Sequence, residues 1–319
     1  IMNKFKKIGL TALAASLISV SANAEVSISG GAGLTFSGGG SKLVGNGWGM
    51  NDALDFSWGG ELDNGWTVDL AFKLDNSDGA AAQIFDNRTL AIGLGDAGTL
   101  TFWGQAGSGV VGSYDDVMPT AYEESFDGAG SPNRGASTGN MFYYTNAMEG
   151  FAIDLSYTPS NTGEHAGSTE FGVAVTAVEG LTIGIAGGED NGSSSKIDNT
   201  VTYITYAMGP VTVGYQANES DDSSAATSTA ATGAQARGDL DYNALAVSYA
   251  VSEDLSVSLA KSEIDYELST LDKQESTSIN ASYTMGSMSW SAVHNDHSNA
   301  SGVSDSDYKD YEIAVAFSF

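Results

Sequence analysis

Tyr311-Glu312-Ile313-Ala314-Val315-Ala316-Phe317-Ser318-Phe319 ends the chain on a strict alternation. Tyr311, Ile313, Val315, Phe317 and Phe319 share one face of an extended strand. Asp310, Glu312, Ala314, Ala316 and Ser318 share the other, because successive strand side chains point to opposite sides. The same period of two recurs upstream. Trp66, Val68, Leu70, Phe72 and Leu74 enclose Asp69 and Lys73; Phe151, Ile153, Leu155 and Tyr157 enclose Asp154 and Ser156. Shorter copies are Phe171/Val173/Val175, Leu181/Ile183/Ile185, Val211/Val213/Tyr215, Leu245/Val247/Tyr249 and Ile279/Ala281/Tyr283. The chain is therefore all-β.

Alternation has two readings. A soluble sandwich turns its apolar residues inward; a transmembrane barrel turns them to lipid and its polar residues to a lumen. The connections favour the barrel. Tight turns are expected at Asp63-Asn64-Gly65, Gly95–Gly98, Asn146–Gly150, Glu179-Gly180, Gly209-Pro210, Ser252–Asp254 and Met285–Ser287. They alternate with longer polar connections near 38–51, 75–82, 105–139, 159–168, 187–198, 218–238, 266–273 and 295–306. Short turns at one end and long loops at the other are the asymmetry of outer-membrane barrels. The count predicts a 16-stranded antiparallel transmembrane β-barrel, wide enough for an aqueous channel. Only a closed barrel satisfies every strand backbone group in lipid. Tyr157, Tyr215, Tyr249, Tyr283 and Trp290 are expected as interfacial aromatics.

Composition agrees. The chain has 319 residues, 40 glycines, four prolines and no cysteine, and 40 acidic against 12 basic residues give a net charge of −28. The charge argues against duplex-DNA binding, which needs a basic face. Without cysteine there are no disulfides, thiolate metal sites or cysteine nucleophiles. Such acidity suits loops and a wet lumen better than a packed interior. Lys4, Lys6 and Lys7, the apolar run Ile8–Ala22 and Ala22-Asn23-Ala24 have the three parts of a secretory signal peptide. Residues 1–24 are thus expected to be cleaved on Sec export, leaving a barrel domain over 25–319.

These features resemble the Gram-negative general porins, of the α-proteobacterial type. Tyr311, Val315, Phe317 and terminal Phe319 are similar to the signal read by the barrel-assembly machinery. The stretch Asn87-Arg88-Thr89-Leu90-Ala91-Ile92-Gly93-Leu94, continuing through Gly95-Asp96-Ala97-Gly98-Thr99-Leu100, resembles the fourth strand, turn and fifth strand of those porins. The connection after Gly104 falls where porins place a third loop that folds into the barrel. The resemblance implies a homotrimer in outer-membrane lipid and lipopolysaccharide, passing small hydrophilic solutes and inorganic cations by diffusion.

The segment 105–139 is too long for a plain connection and is expected to be functional. It carries Asp115, Asp116, Glu123, Glu124 and Asp127, with Tyr114, Tyr122, Phe126 and Pro119. Folded inward, it would place an acidic rim in the neck, and carboxylates there favour cations; an outward, solvated loop is the other reading. Opposing positive charge is sought in Arg88, Arg134 and Lys73. Arg88 shares parity with Leu90 and Ile92, so a regular strand points it outward and only a bulge or an interface-facing strand reconciles it with a pore role. Where enteric porins carry further arginines, Asp55 and Gln105 stand here. Asp55, Glu61, Asp69, Asp154 and Lys73 fall on the expected lumen face. The balance predicts cation preference.

Other chemistry finds little footing. His294 and His297 flank Asp296 but are read as solvated loop histidines, and no metal centre is expected. The acidic groups Asp75/Asp78, Glu189/Asp190 and Glu219/Asp221/Asp222 are candidates for weak Ca²⁺ binding only, since no EF-hand spacing is present. The serines show no evident His and Asp partners, no glycine motif opens a nucleotide-binding helix, and no calcium β-roll repeat occurs. No cofactor, nucleic acid or enzymatic activity is expected. Two alternatives to a general channel stand. One is a channel specific for organic cations such as polyamines, using Trp103, Tyr114 and Tyr122 for cation–π contacts. The other is a non-conducting structural or adhesive barrel.

Overall fold

The computed structural model describes residues 24–40, 47–75, 85–115, 117–127, 129, 132, 137–160, 167–191, 196–222 and 238–319. The signal peptide expected at 1–24 lies outside them, save residue 24.

The chain-closing alternation forms β18 (Tyr308–Ser318), and the period-two segments before it form the other strands. In chain order these are β1 (Ala24–Gly39), β2 (Trp48–Glu61), β3 (Thr67–Asp75), β4 (Phe85–Gly93), β5 (Thr99–Gln105), β6 (Gly107–Ser108), β7 (Ser137–Thr138), β8 (Met141–Met148) and β9 (Phe151–Thr158). They continue with β10 (Ser168–Val175), β11 (Leu181–Asn191), β12 (Lys196–Met208), β13 (Val211–Asp222), β14 (Leu240–Ala250), β15 (Leu255–Tyr266), β16 (Gln274–Met285) and β17 (Met288–Ser298). β6 and β7 pair only with each other; the other 16 close into one antiparallel barrel. Closure joins β1 to β18, with Gly31 opposite Ser318 and Leu34 opposite Val315. Terminal Phe319 completes the seam: its backbone and that of Gly30 exchange hydrogen bonds of 2.7 and 2.9 Å.

Cross-strand partners point to the same side of a sheet, so register tests the parity reading. Leu245 lies opposite Tyr215 and Lys261, whereas Ala246 lies opposite Gly214 and Ala260. The outer face is apolar and exposed, with Leu245 61% and Ile279 60% accessible. The polar face is the crowded one: Gln216, Asn280 and Ser276 are buried. This inversion of the soluble pattern is the signature of a membrane barrel. Tyr157, Tyr215, Tyr249, Tyr283 and Trp290 are all exposed on the outer face. Tyr157 sits near the loop end of β9, and Tyr249, Tyr283 and Trp290 near tight turns, while Tyr215 stands further into β13.

Two expectations about the interior and the loops are corrected. Strand pairing continues through much of 187–198, from Gly187↔Thr200 to Asn191↔Lys196. Above the apolar band both faces are polar, so alternation vanishes from the sequence while the backbone ladder continues. Nor is the polar side uniformly wet. Val110, Val111, Tyr114 and Met118 pack with Tyr203, Tyr242, Ile264 and Tyr266 in one buried cluster.

Candidate functional site

The segment between β5 and β8 departs at Ala106, whose φ is 49°, and the β6–β7 ribbon pinches its base. It opens into one helical turn, α1 (Val110–Tyr114), with extended Gly109 at its start. Its first amides find acceptors on the barrel wall: Val110 N donates to Ser156 Oγ at 3.1 Å and Val111 N to Glu170 Oε2 at 3.1 Å. Ser156 Oγ also donates to Glu170 Oε2 at 3.0 Å. Tyr114 Oη donates to Asp154 Oδ2 at 2.7 Å, and burial, reinforced by that carboxylate, pushes its phenol far above the ordinary range.

The contacts then proceed around the wall. The Asp115 carboxylate accepts from Gln216 Nε2 at 2.8 Å and from Asn218 Nδ2. Pro119 rests on Gly214 so closely that a Cβ there would stand 2.5 Å from its Cδ. Ala121 N donates to Ser258 Oγ at 2.8 Å, Glu123 N to Asn280 Oδ1 at 3.1 Å, and Ser125 Oγ to Ser262 Oγ at 2.8 Å. Tyr122 Oη donates to Glu312 Oε1 at 2.6 Å. On the return, Asn295 Nδ2 donates to the Asp127 carbonyl at 3.4 Å and Ser301 Oγ to the Ala129 carbonyl at 2.6 Å. Every strand side chain in this series belongs to the polar face.

The sequence-derived candidates separate accordingly. Asp115 and Glu124 are buried, at 6% and 3% exposure; Glu123 and Asp127 are half-buried. Asp116 and Arg134 lie outside the described residues. Asp55 and Asp69 are exposed on the polar face of β2 and β3. Lys73 shares that face opposite Asp55, but it is held by Asp75 at 3.1 Å and Asp86 at 3.4 Å.

Arg88 is a correction. Bulges flank it at Lys73/Leu74 and Arg88/Thr89, yet the register keeps it opposite Phe72, whose ring stacks on outer-face Phe56 at 4.9 Å. Its guanidinium lies 6.0 Å over the Phe85 ring. Arg88 therefore belongs to an outward aromatic patch and not to a pore wall.

Two readings outside the segment also change. His297 is not a solvated loop residue; it is fully buried on β17, with Nδ1 2.9 Å from Ser276 Oγ and Nε2 3.6 Å from Asp310 Oδ2. A Ser–His–Asp grouping thus exists, but Ser276 is also buried, so it forms an internal polar bridge without an exposed nucleophile. The Ca²⁺ candidate Glu189/Asp190 splits because neighbours on a strand face opposite ways: Glu189 pairs with Lys196 at 2.6 Å, and Asp190 accepts from Ser168 at 2.8 Å. Sequence reading missed Glu170, Gln216, Asn218, Asn280 and Glu312 as partners of the segment. Parity could nominate them; only the closed barrel brings them together.

Known proteins place this geometry. A family model for Gram-negative porins matches residues 9–256. No curated protein matches in sequence. Among solved structures, OmpT of Vibrio cholerae, folded in vitro, aligns at a TM-score of 0.69 with 10% identity, covering 96% of this chain and 100% of its own. An anion-selective porin from Comamonas acidovorans aligns at 0.69 with 13% identity, covering 93% and 100%. Salmonella typhi OmpF, in complex with daunomycin, aligns at 0.70 with 12% identity, covering 95% and 100%. Such identities speak for the fold, and the family match speaks for more: a 16-stranded barrel with its apolar side outward and its polar side inward belongs, with this chain, to the Gram-negative porins, channel-forming barrels of the outer membrane.

Proposed function

We propose that the protein is a cation-preferring general diffusion channel, and that the segment 105–139 folds into the barrel and narrows its lumen. The carrying observation is the series of hydrogen bonds from this segment to polar-face side chains on β9, β10, β13, β15, β16, β17 and β18. These contacts leave the polar face of β1–β5 as the far wall of the passage. There Asp55 and Asp69 are exposed, and Lys73 is held between carboxylates. Solutes would then pass a negative neck down their concentration gradient, with anions meeting the higher electrostatic barrier. The neck acids of this reading are Glu123 and Asp127 rather than buried Asp115 and Glu124. Tyr114 is buried against Asp154, which removes one aromatic from the organic-cation alternative.

A homotrimer also fits. One of the similar Vibrio cholerae OmpT structures is a trimer form. In this chain the wall bearing Phe56, Phe72, Phe85 and Arg88 suits a neighbouring subunit better than lipid, where an outward arginine costs up to about 2–4 kcal/mol depending on depth. Phe319, seated at the closing seam, is proposed as the assembly signal together with Tyr311, Val315 and Phe317.

Purified protein in planar bilayers and sugar-loaded liposomes tests the channel reading. Stepwise conductance with non-saturating entry of neutral sugars is expected. Saturable block by polyamines would favour the solute-specific alternative, and absence of conductance would leave only the structural barrel.

A further inference from the structure

We propose that Glu312 is the fixed negative charge that sets ion preference in the neck, and that Asp115, one of the five acids of the segment, serves to anchor it. The inference rests on the reading of 105–139 as a constriction. Glu312 stands on the polar face of β18, between Ser37 of β1 and Val293 of β17. Its two oxygens are engaged separately: Tyr122 Oη donates to Oε1 at 2.6 Å, and Ser37 Oγ to Oε2 at 2.7 Å. Short hydroxyl–carboxylate bonds of this kind are charge-assisted and strong. They hold the group in one place, at the point where the first strand, the last strand and the segment meet.

Position, accessibility and charge balance fit Glu312 to this role. It is half-buried, and no lysine or arginine among the described residues pairs with it. Lys309 lies on the opposite face of the same strand, engaged with Asp296. Lys73 is held by Asp75 and Asp86. Burial pushes the Tyr122 phenol well above its ordinary range, reinforced first by Glu312 and then by Glu123 and Asp127. Glu312 holds the hydroxyl directly, and the potentials of the three carboxylates act on it in the same direction. Asp115, in contrast, is buried and turned to wall amides.

The test reads permeability ratios from zero-current potentials in a KCl gradient. Glu312→Gln should lower the K⁺/Cl⁻ ratio about fivefold or more, the scale of one charge about 4 Å from an ion in water. Glu312→Asp should retain most of the preference, and Tyr122→Phe, which keeps the charge, should retain its sign. The chain has no cysteine, so Glu312→Cys offers a unique thiol for modification after insertion. A sulfonate-bearing thiosulfonate should restore cation preference, and a trimethylammonium-bearing one should abolish or reverse it. A cation-selective wild type together with a Glu312→Cys variant whose ratio is indifferent to both reagents overturns the proposal while sparing the channel reading. A wild type without cation preference overturns the selectivity reading instead, and a reagent-dependent ratio would still place residue 312 in the current path.

Discussion

Asp115 shows how burial reassigns a residue. By sequence it is one acid in a loop; in the barrel its carboxylate satisfies two amide donors, Gln216 and Asn218, away from solvent. Removing it leaves those donors unpaired, at about 1–3 kcal/mol. Asp115→Ala should therefore lower the melting temperature of the folded barrel while leaving the sign of ion preference intact. Calorimetry and zero-current potentials measure the two effects separately. Tyr114 and Tyr122 make a second prediction. Both phenols are raised above ordinary tyrosine, principally by burial, with Asp154 and Glu312 reinforcing the shift. Folded tyrosines stay protonated where the unfolded chain, near pH 10, begins to ionise. Their contribution is complete below about pH 10 and is lost as pH rises above it. Thermal melts between about pH 9 and pH 12 should show falling stability, and the Tyr114→Phe/Tyr122→Phe double variant should show a shallower fall.

At the scale of elements, the segment is seated by what its wall lacks. Gly172 lies beneath α1, where a Cβ would come 2.7 Å from Val110 Cγ1, and Gly214 lies beneath Pro119. A strand accepts valine readily, so Gly214→Val perturbs the seat more than the strand. It should push the Pro119 limb off the wall toward the passage and lower single-channel conductance; unchanged conductance would place that limb elsewhere. The strands themselves were legible from Tyr311–Phe319 and its upstream copies, because a one-sided apolar surface forces period two. Their loop ends were not: around Glu189 and Asp198 both faces are polar, and pairing persists without a hydrophobic trace. The segment's acids were visible, but not their partners. Asp115 meets Gln216 and Tyr122 meets Glu312 only because the barrel closes, and no local spacing encodes that. Arg88 was caught between two readings for a related reason. Its bulges depend on register with Lys73 and Gln105, which a single strand's parity cannot supply.

At the scale of the molecule, the acidity of the chain, net −28, is distributed by the barrel between its outer rim and its polar interior. On the outer surface Lys196, Lys261, Lys273 and Lys309 are engaged by carboxylates. Arg88 instead sits among aromatics, and the assembly reading depends on it. Arg88→Glu should weaken subunit association, seen as monomer on native gels or in native mass spectra, while the barrel remains folded; an undiminished oligomer would argue for another face. The most direct test of the whole account is the zero-current potential of the wild-type channel across a tenfold KCl gradient. A negative neck gives the sign of a cation-selective pore, with the preference shrinking as salt screens it. A potential of the opposite sign, or none, would contradict it.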